Sequence, residues 1–305
     1  MNNTDGVLQV EGEAVNERWR EYFDILLNEE NPFTANLPIT TTVNDPQPGI
    51  SIVEVKAAIS KMKRGKAAGP DAITLEMVLA LGEEGIVWLH RVMDAIWKEK
   101  RIPDDWQESI LVSIFKNKVN IHECGNYRGI KFLSQIMKCF ERILDSRMRE
   151  IVEPHLGEEQ FGFRKGKGTT DAMFIVRQMM ERKLEFQQES SWGFLDLEKA
   201  YDKINREMIP PVLRQYHVPE ELITMVMALY RTPRTQVRPC FGKTKTFEVK
   251  VGLHQGSALS PLLFIILLDY ISKRCRMERG QKDIYADDIV LGANTAEELQ
   301  QTVEM

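Results

Sequence analysis

Cysteine is scarce: the 305-residue sequence has four, Cys124, Cys139, Cys240 and Cys275, with no C-x-x-C pair and no zinc-site spacing. The five histidines form no H-x-x-x-H pair, and His122 beside Cys124 is two residues, not a site. Free thiols in a chain of this size predict a reducing, intracellular setting, nucleus or cytoplasm, rather than secretion. Met1 to Val10 lacks the apolar stretch of a signal peptide. The longest apolar run, Leu262 to Leu268, falls far short of the roughly 20 residues a membrane span needs, so no membrane partner is expected. An excess of positive charge is also lacking: 40 Lys and Arg against 45 Asp and Glu give a formal charge of −5. Taken alone this weighs against a nucleic-acid binder, but binding depends on local patches, and the cations here are clustered. A 43% hydrophobic content is enough for a real core, and the length suits one large domain or two smaller ones.

Periodicity predicts helices over 11–30, 52–62, 73–81, 84–99, 133–152 and 171–188. Residues 31–50, with four prolines, read as a linker. Gly69-Pro70-Asp71 is a turn signal, with Asp71 a candidate helix cap. Strands are expected at 110–115, 192–197, 235–240 and 246–251, and a basic, turn-rich loop at 116–128. Two short helices split by Pro219 fit 206–231. An apolar helix fits 258–273, with Pro261 tolerated in its first turn. Residues 284–291 read as a hairpin with an acidic tip. No internal repeat is present.

Two acidic sites stand out. In Phe194-Leu195-Asp196-Leu197-Glu198-Lys199-Ala200-Tyr201-Asp202 an aspartate closes a short apolar strand. In Tyr285-Ala286-Asp287-Asp288 two carboxylates are adjacent, between Ile284 and Ile289-Val290-Leu291. Neighbouring carboxylates repel one another and resist desolvation. A divalent cation relieves both costs, and hard oxygen ligands suit Mg²⁺. Three carboxylates from two strands point to a two-metal phosphoryl-transfer site. The alternative is a solvated turn, since Asp-Asp pairs are common in turns.

These blocks resemble the reverse transcriptases of non-LTR, LINE-type retrotransposons. Phe194 to Asp202 is similar to motif A, and Val251-Gly252-Leu253-His254-Gln255-Gly256-Ser257-Ala258-Leu259-Ser260-Pro261-Leu262-Leu263-Phe264 to motif B. Tyr285 to Asp288 is the Y/F-A-D-D box of motif C. Gly125-Asn126-Tyr127-Arg128-Gly129-Ile130 and Gln160-Phe161-Gly162-Phe163-Arg164 resemble fingers motifs, and Lys66 to Asp71 an upstream G-K-A-x-G-P-D element. The wording looks closest to the RTE-type group. The likeness covers about residues 50–295, with six motifs in order.

The resemblance implies an α+β right-hand polymerase fold. Residues 1–50 form an N-terminal extension and linker and 51–190 the fingers. Residues 191–305 form an incomplete palm, with about 205–250 partly returning to the fingers. It implies RNA-directed DNA synthesis on an RNA template, from a DNA primer and dNTPs, using two Mg²⁺ ions or Mn²⁺. Asp196 and Asp287 would bind the ions, with Asp288 in support. Tyr201 would select deoxynucleotides by packing under the sugar, the alternative being an ordinary buried tyrosine. Arg128 would meet the incoming nucleotide's phosphates. Lys116 is its candidate partner, with Lys118 and a plain solvated lysine as alternatives. Gln255 and Gly256 would form the turn beneath the nascent base pair. Gly162, Arg164, Lys165, Lys167 and Thr169 would touch template backbone. Arg231, Arg234, Arg238, Lys243, Lys245 and Lys250 form a second basic stretch suited to sequence-independent phosphate contacts. A solvated face is the alternative for each stretch.

The sequence departs from the family pattern in three places. It ends at Met305, before an expected thumb. Gln281-Lys282-Asp283 stands where apolar residues usually lead into the Y-A-D-D strand. No endonuclease precedes residue 50. A catalytically silent nucleic-acid-binding fragment is therefore the competing expectation. Oligomeric state is not legible.

Overall fold

The computed structural model describes residues 1–29, 42–239, 242–274 and 281–304, with side chains for all of these except 274 and 281–283. Part of the expected linker, Cys240, Cys275 and the side chains of Gln281, Lys282 and Asp283 lie outside the described residues. In chain order the elements begin with α1 (Gly12–Asn28), α2 (Ile52–Ser60), α3 (Leu75–Ala80), α4 (Gly82–Glu99), β1 (Glu108–Phe115), β2 (Tyr127–Phe132), α5 (Gln135–Val152) and α6 (Thr169–Glu185). There follow β3 (Ser191–Asp196), α7 (Ile209–Gln215), α8 (Glu220–Leu229), β4 (Arg234–Val237), β5 (Phe247–Glu248), α9 (Ser260–Arg274), β6 (Gln281–Tyr285), β7 (Asp288–Ala293) and α10 (Ala296–Glu304). No helix among the described residues is long and apolar enough to cross a membrane. Two compact units result, each made of two chain segments: Met1–Glu150 with Tyr201–Ser260, and Ile151–Ala200 with Pro261–Met305.

The first unit carries a sheet in the order β2-β1-β4-β5. β1 is antiparallel to β2 and parallel to β4, and β4 is antiparallel to β5. Helix α1 covers this sheet because Trp19, Phe23, Leu26 and Leu27 fall on one stripe and pack with Leu111 and Val237. The strand expected at 246–251 shrinks to a two-residue β5. The stretch after the basic loop, 127–132, becomes the strand β2. Asp71 does not cap a helix. Its side chain accepts from Ile73 N, a local turn, and Thr74 caps α3 by accepting from Met77 N.

Arg147 of α5 ties the helical layer together. It forks onto Glu54 at 2.6 and 3.0 Å and donates to the Pro48 and Gly49 carbonyls, each at 2.8 Å. Burial opposes the Glu54 charge, yet its bonds from Arg147 and Ser51 hold the carboxyl below its ordinary value. A carboxylate depressed in the folded state stabilises above its unfolded pKa and loses that effect as pH falls through the folded one. Arg147→Ala is expected to lower unfolding free energy by about 2–3 kcal/mol, read as a shifted urea midpoint at unchanged slope. Lysine should recover less than half, because it cannot fork.

The second unit holds an antiparallel sheet in the order β3-β7-β6. Alternation along the strands puts Phe194, Asp196, Asp288 and Val290 on one face. Helix α6 lies over that face, where Met173, Val176, Phe194 and Val290 line a cavity of about 440 Å³. Helix α10 lies behind the opposite face, with Leu299 against Gly193. Leu262 to Leu267 of α9 are all at most 2% exposed, so this apolar run is core. Buried Asp269 of the same helix accepts from Gly157 N at 2.9 Å and pairs with Lys273 at 2.8 Å.

Candidate active site

The acidic residues of the second unit meet at one end of its sheet. Asp196 closes β3 and Asp288 opens β7, and the antiparallel register sets them directly opposite one another. Asp287 sits between Tyr285 and Asp288 in the turn, after Ala286 in the left-handed region at φ 55°. The register thus gives the place facing Asp196 to Asp288, while Asp287 occupies the tip. Leu197 N donates to the Asp287 carbonyl at 3.3 Å, holding tip and strand end together. Burial, then the charges of Asp287 and Asp196, push the Asp288 carboxyl above its ordinary value. Among the described residues no three carboxylate, imidazole or thiolate groups form a closed metal cluster. The donor set nevertheless fits a hard cation. Directly opposite residues of an antiparallel pair lie roughly 4.5–5.5 Å apart at Cα, and a cation would relieve the repulsion that raises Asp288.

The hairpin tip leans on the Gln160-Phe161-Gly162 segment. Ile284 N donates to the Glu159 carbonyl at 2.9 Å and Phe161 N to the Ile284 carbonyl at 2.8 Å, covering the free edge of β6. Gly162 is buried against the Ala286 backbone so closely that an added Cβ would overlap it. Gln160, wholly buried, accepts from Gly162 N at 2.8 Å. The structure packs Gly162, expected at the template, backbone to backbone beneath the acidic tip.

Neighbouring cations divide into two kinds. Arg164 donates to Glu153 at 3.0 Å and to the Gly157 carbonyl at 2.7 Å, and Lys167 to Glu158 at 2.9 Å. Template contact by either would compete with these internal bonds. Lys165 and Thr169 are exposed.

The remaining candidates belong to the first unit. Arg128 pairs with Ile114 across β1 and β2, and Lys116 N closes the hairpin onto the Asn126 carbonyl at 2.9 Å. Both side chains are exposed, as is that of Lys118. Motif B lies against the same β2: Lys131 N donates to the Gln255 carbonyl at 2.7 Å, and Gly256, at φ +119°, leaves no room for a Cβ beside the Lys131 carbonyl. The Tyr201 carbonyl accepts from Leu253 N at 2.7 Å, so motif A's tail also reaches motif B. Arg231, Arg234, Arg238, Lys243, Lys245 and Lys250 are all exposed.

Glu141 was not among the expected site residues. Only 1% exposed, it accepts from Ser257 Oγ and from Ala258 N, each at 2.7 Å. Ser257 Oγ in turn accepts from Leu259 N and Ser260 N, so its proton is directed to Glu141. Burial pushes the Glu141 carboxyl up, while these two donors oppose that. An acid on the stripe of Met137, Phe140, Leu144 and Met148 was the one available sequence signal. Glu141→Ala should cost about 3 kcal/mol by thermal or urea unfolding, because it leaves buried donors unpaired, and glutamine should cost less.

Residues 114–305 match the family described as reverse transcriptase (RNA-dependent DNA polymerase). The chain belongs to the reverse transcriptase family. Curated relatives include the "Probable RNA-directed DNA polymerase from transposon BS" of Drosophila melanogaster, 25% identical over 91% of this chain and 30% of its own length. The corresponding X-element protein of the same fly is 28% identical over 70% of this chain and 24% of its own length. The RNA-directed DNA polymerase from mobile element jockey, also of Drosophila melanogaster, is 23% identical over 85% and 28%. These relatives place the reverse transcriptase among those of non-LTR retrotransposons. It spans less than a third of the length of each.

Proposed function

We propose that this reverse transcriptase domain extends a DNA primer on an RNA template, transferring deoxynucleotides to the primer 3′-hydroxyl, within an element of the RTE type. The observation that carries the reading is the Asp196–Asp288 pairing with Asp287 at the adjoining tip. Asp196, Asp287 and Asp288 would hold two Mg²⁺ ions, with Mn²⁺ able to substitute. When bound, the ions supply neutralisation of the triphosphate and activation of the attacking hydroxyl. Arg128 and Lys116 present exposed cations to the nucleotide phosphates, and Gln255 and Gly256 support the nascent pair. Tyr201 limits room at the sugar 2′-position. Lys165 and Thr169 meet template backbone. In right-hand terms residues 51–190 would form the fingers and 191–305 the palm, with about 205–250 partly returning to the fingers.

A second reading, nucleic-acid binding without turnover, is supported by the exposed cations from Arg231 to Lys250, which belong to the other unit from the carboxylates. Primer extension on RNA with dNTPs and Mg²⁺ separates the two. Extension that stops on chelation supports the polymerase. Salt-sensitive RNA binding with no extension under Mg²⁺ or Mn²⁺ supports the binder and overturns the first reading.

A further inference from the structure

Motif A ends in a second aspartate, Asp202, for which the polymerase reading has no task. It is 9% exposed and accepts from Gln255 Nε2 at 2.9 Å. A carboxylate has only acceptors, so this contact fixes which end of the Gln255 amide faces inward. The nitrogen is committed to Asp202, and Oε1 is the end left for a partner. Gln255 is half-buried beside exposed Gly256, so that end belongs to the accessible part of the turn.

The backbone around this contact is laced tightly. Gly252 N donates to the Ile204 carbonyl at 2.8 Å, and a Cβ on Gly252 would stand 2.6 Å from the Asp202 carbonyl oxygen. On the far side, Lys131 N holds the Gln255 carbonyl. Two buried basic residues lie close by, and of these Lys131 feels the Asp202 charge. Arg206 is anchored by donating to the Val249, Val251 and Gly252 carbonyls, and Lys131 is 3% exposed. Burial and Arg206 pull the Lys131 amine down to about 7, while Asp202 acts to raise it. Asp202 therefore meets the turn through one side chain, the Gln255 amide.

We infer that Asp202 is a positioning residue for nucleoside triphosphate binding, acting through the Gln255 amide that it orients. This rests on the polymerase reading. Loss of Asp202 frees the amide to rotate and flip, so it weakens nucleotide binding more than chemistry. The test is a double-mutant cycle of Asp202→Ala and Gln255→Met in primer extension. Asp202→Ala is expected to raise KM for dNTP about tenfold with kcat within threefold, the order of a lost hydrogen bond to a charged group. Added to Gln255→Met, it should change KM less than twofold. Asp202→Asn, which keeps an acceptor oxygen, should restore KM to within about threefold of the parent. Additive KM effects, or a fall in kcat alone, would overturn the inference. Asp202→Ser, too short to reach Gln255, replaces alanine if that variant does not melt cooperatively. Should the parent extend no primer, the polymerase reading fails separately. Hydrogen exchange over 253–258 then decides: faster exchange in Asp202→Ala than in the parent and Asp202→Asn supports positioning, and equal exchange in all three refutes it.

Discussion

Asp287→Asn should lower nucleotide incorporation by about a thousandfold while leaving RNA template affinity within twofold. Removing one preorganised charge from a transition state of this type is typically worth 10²–10³ in kcat, and the loss of a metal-binding oxygen lies at or beyond the upper end. Asparagine keeps the size of the side chain, so the turn between Tyr285 and Asp288 should survive. Stability provides the control. Burial comes first and the Asp287 charge second among the causes that raise Asp288 from its ordinary 3.8. A carboxyl raised in the folded state stabilises fully below its unfolded pKa and loses that effect as pH rises through the folded one. At neutral pH the charged cluster therefore works against folding, and Asp287→Asn should melt at the same temperature or slightly higher. An inactive variant that melts well below the parent would show a broken fold instead. An active one would remove Asp287 from the chemistry.

Gly256→Ala should cost about 3 kcal/mol and reduce incorporation at least a hundredfold. Two penalties combine. Gly256 sits at φ +119°, which L-residues rarely adopt, and strain of that kind is of order 1–3 kcal/mol. The new methyl would also overlap the Lys131 carbonyl, which cannot yield freely because Lys131 is paired with Leu111 inside the sheet. Relief requires the turn to move off β2, carrying Gln255 with it. The melting midpoint should fall by roughly 5 °C for a chain of this size. Gly166→Ala is the matched comparison. Gly166 has φ +78°, but nothing stands within 4 Å of an added Cβ. It should cost about 1 kcal/mol and leave incorporation nearly unchanged.

What could be read in advance, and what could not, follows from range along the chain. Helix α1 declared itself because Trp19, Phe23 and Leu26 repeat at helical spacing, a local signal. Strand β2 did not: Tyr-Arg-Gly-Ile-Lys-Phe alternates poorly, and it is a strand because β1 lies beside it. Helix α10 was missed because Leu299 and Val303 are its only large apolar residues, too few for a clear stripe. At the candidate site, the aspartates and the hairpin were legible as motifs. That Asp288 rather than Asp287 faces Asp196 was not, since register is fixed by pairing between segments some ninety positions apart. Basic residues showed their charge but not their company. Arg164 finds Glu153 and Lys167 finds Glu158 only once the intervening loop has closed. Asp202 and Glu141 act on motif B from distant segments, and nothing local in motif B announces either.

The parallel pairing of β1 with β4 sets a timetable for biosynthesis. β1 ends at Phe115, yet its partner begins at Arg234, and β3 must await β7 from Asp288 onward. The chain leaves the first unit after Glu150, starts the second, returns at Tyr201 and leaves again after Ser260. Neither unit can close while the ribosome is still making its first segment. At about 5–20 residues per second, β1 would emerge with an open edge for several seconds or more before β4 follows. An apolar strand with one open edge over such an interval is prone to intermolecular pairing. Yield in a cell-free system should therefore depend on translation speed and on chaperones that hold extended chain, more steeply than the stability of the finished fold would suggest.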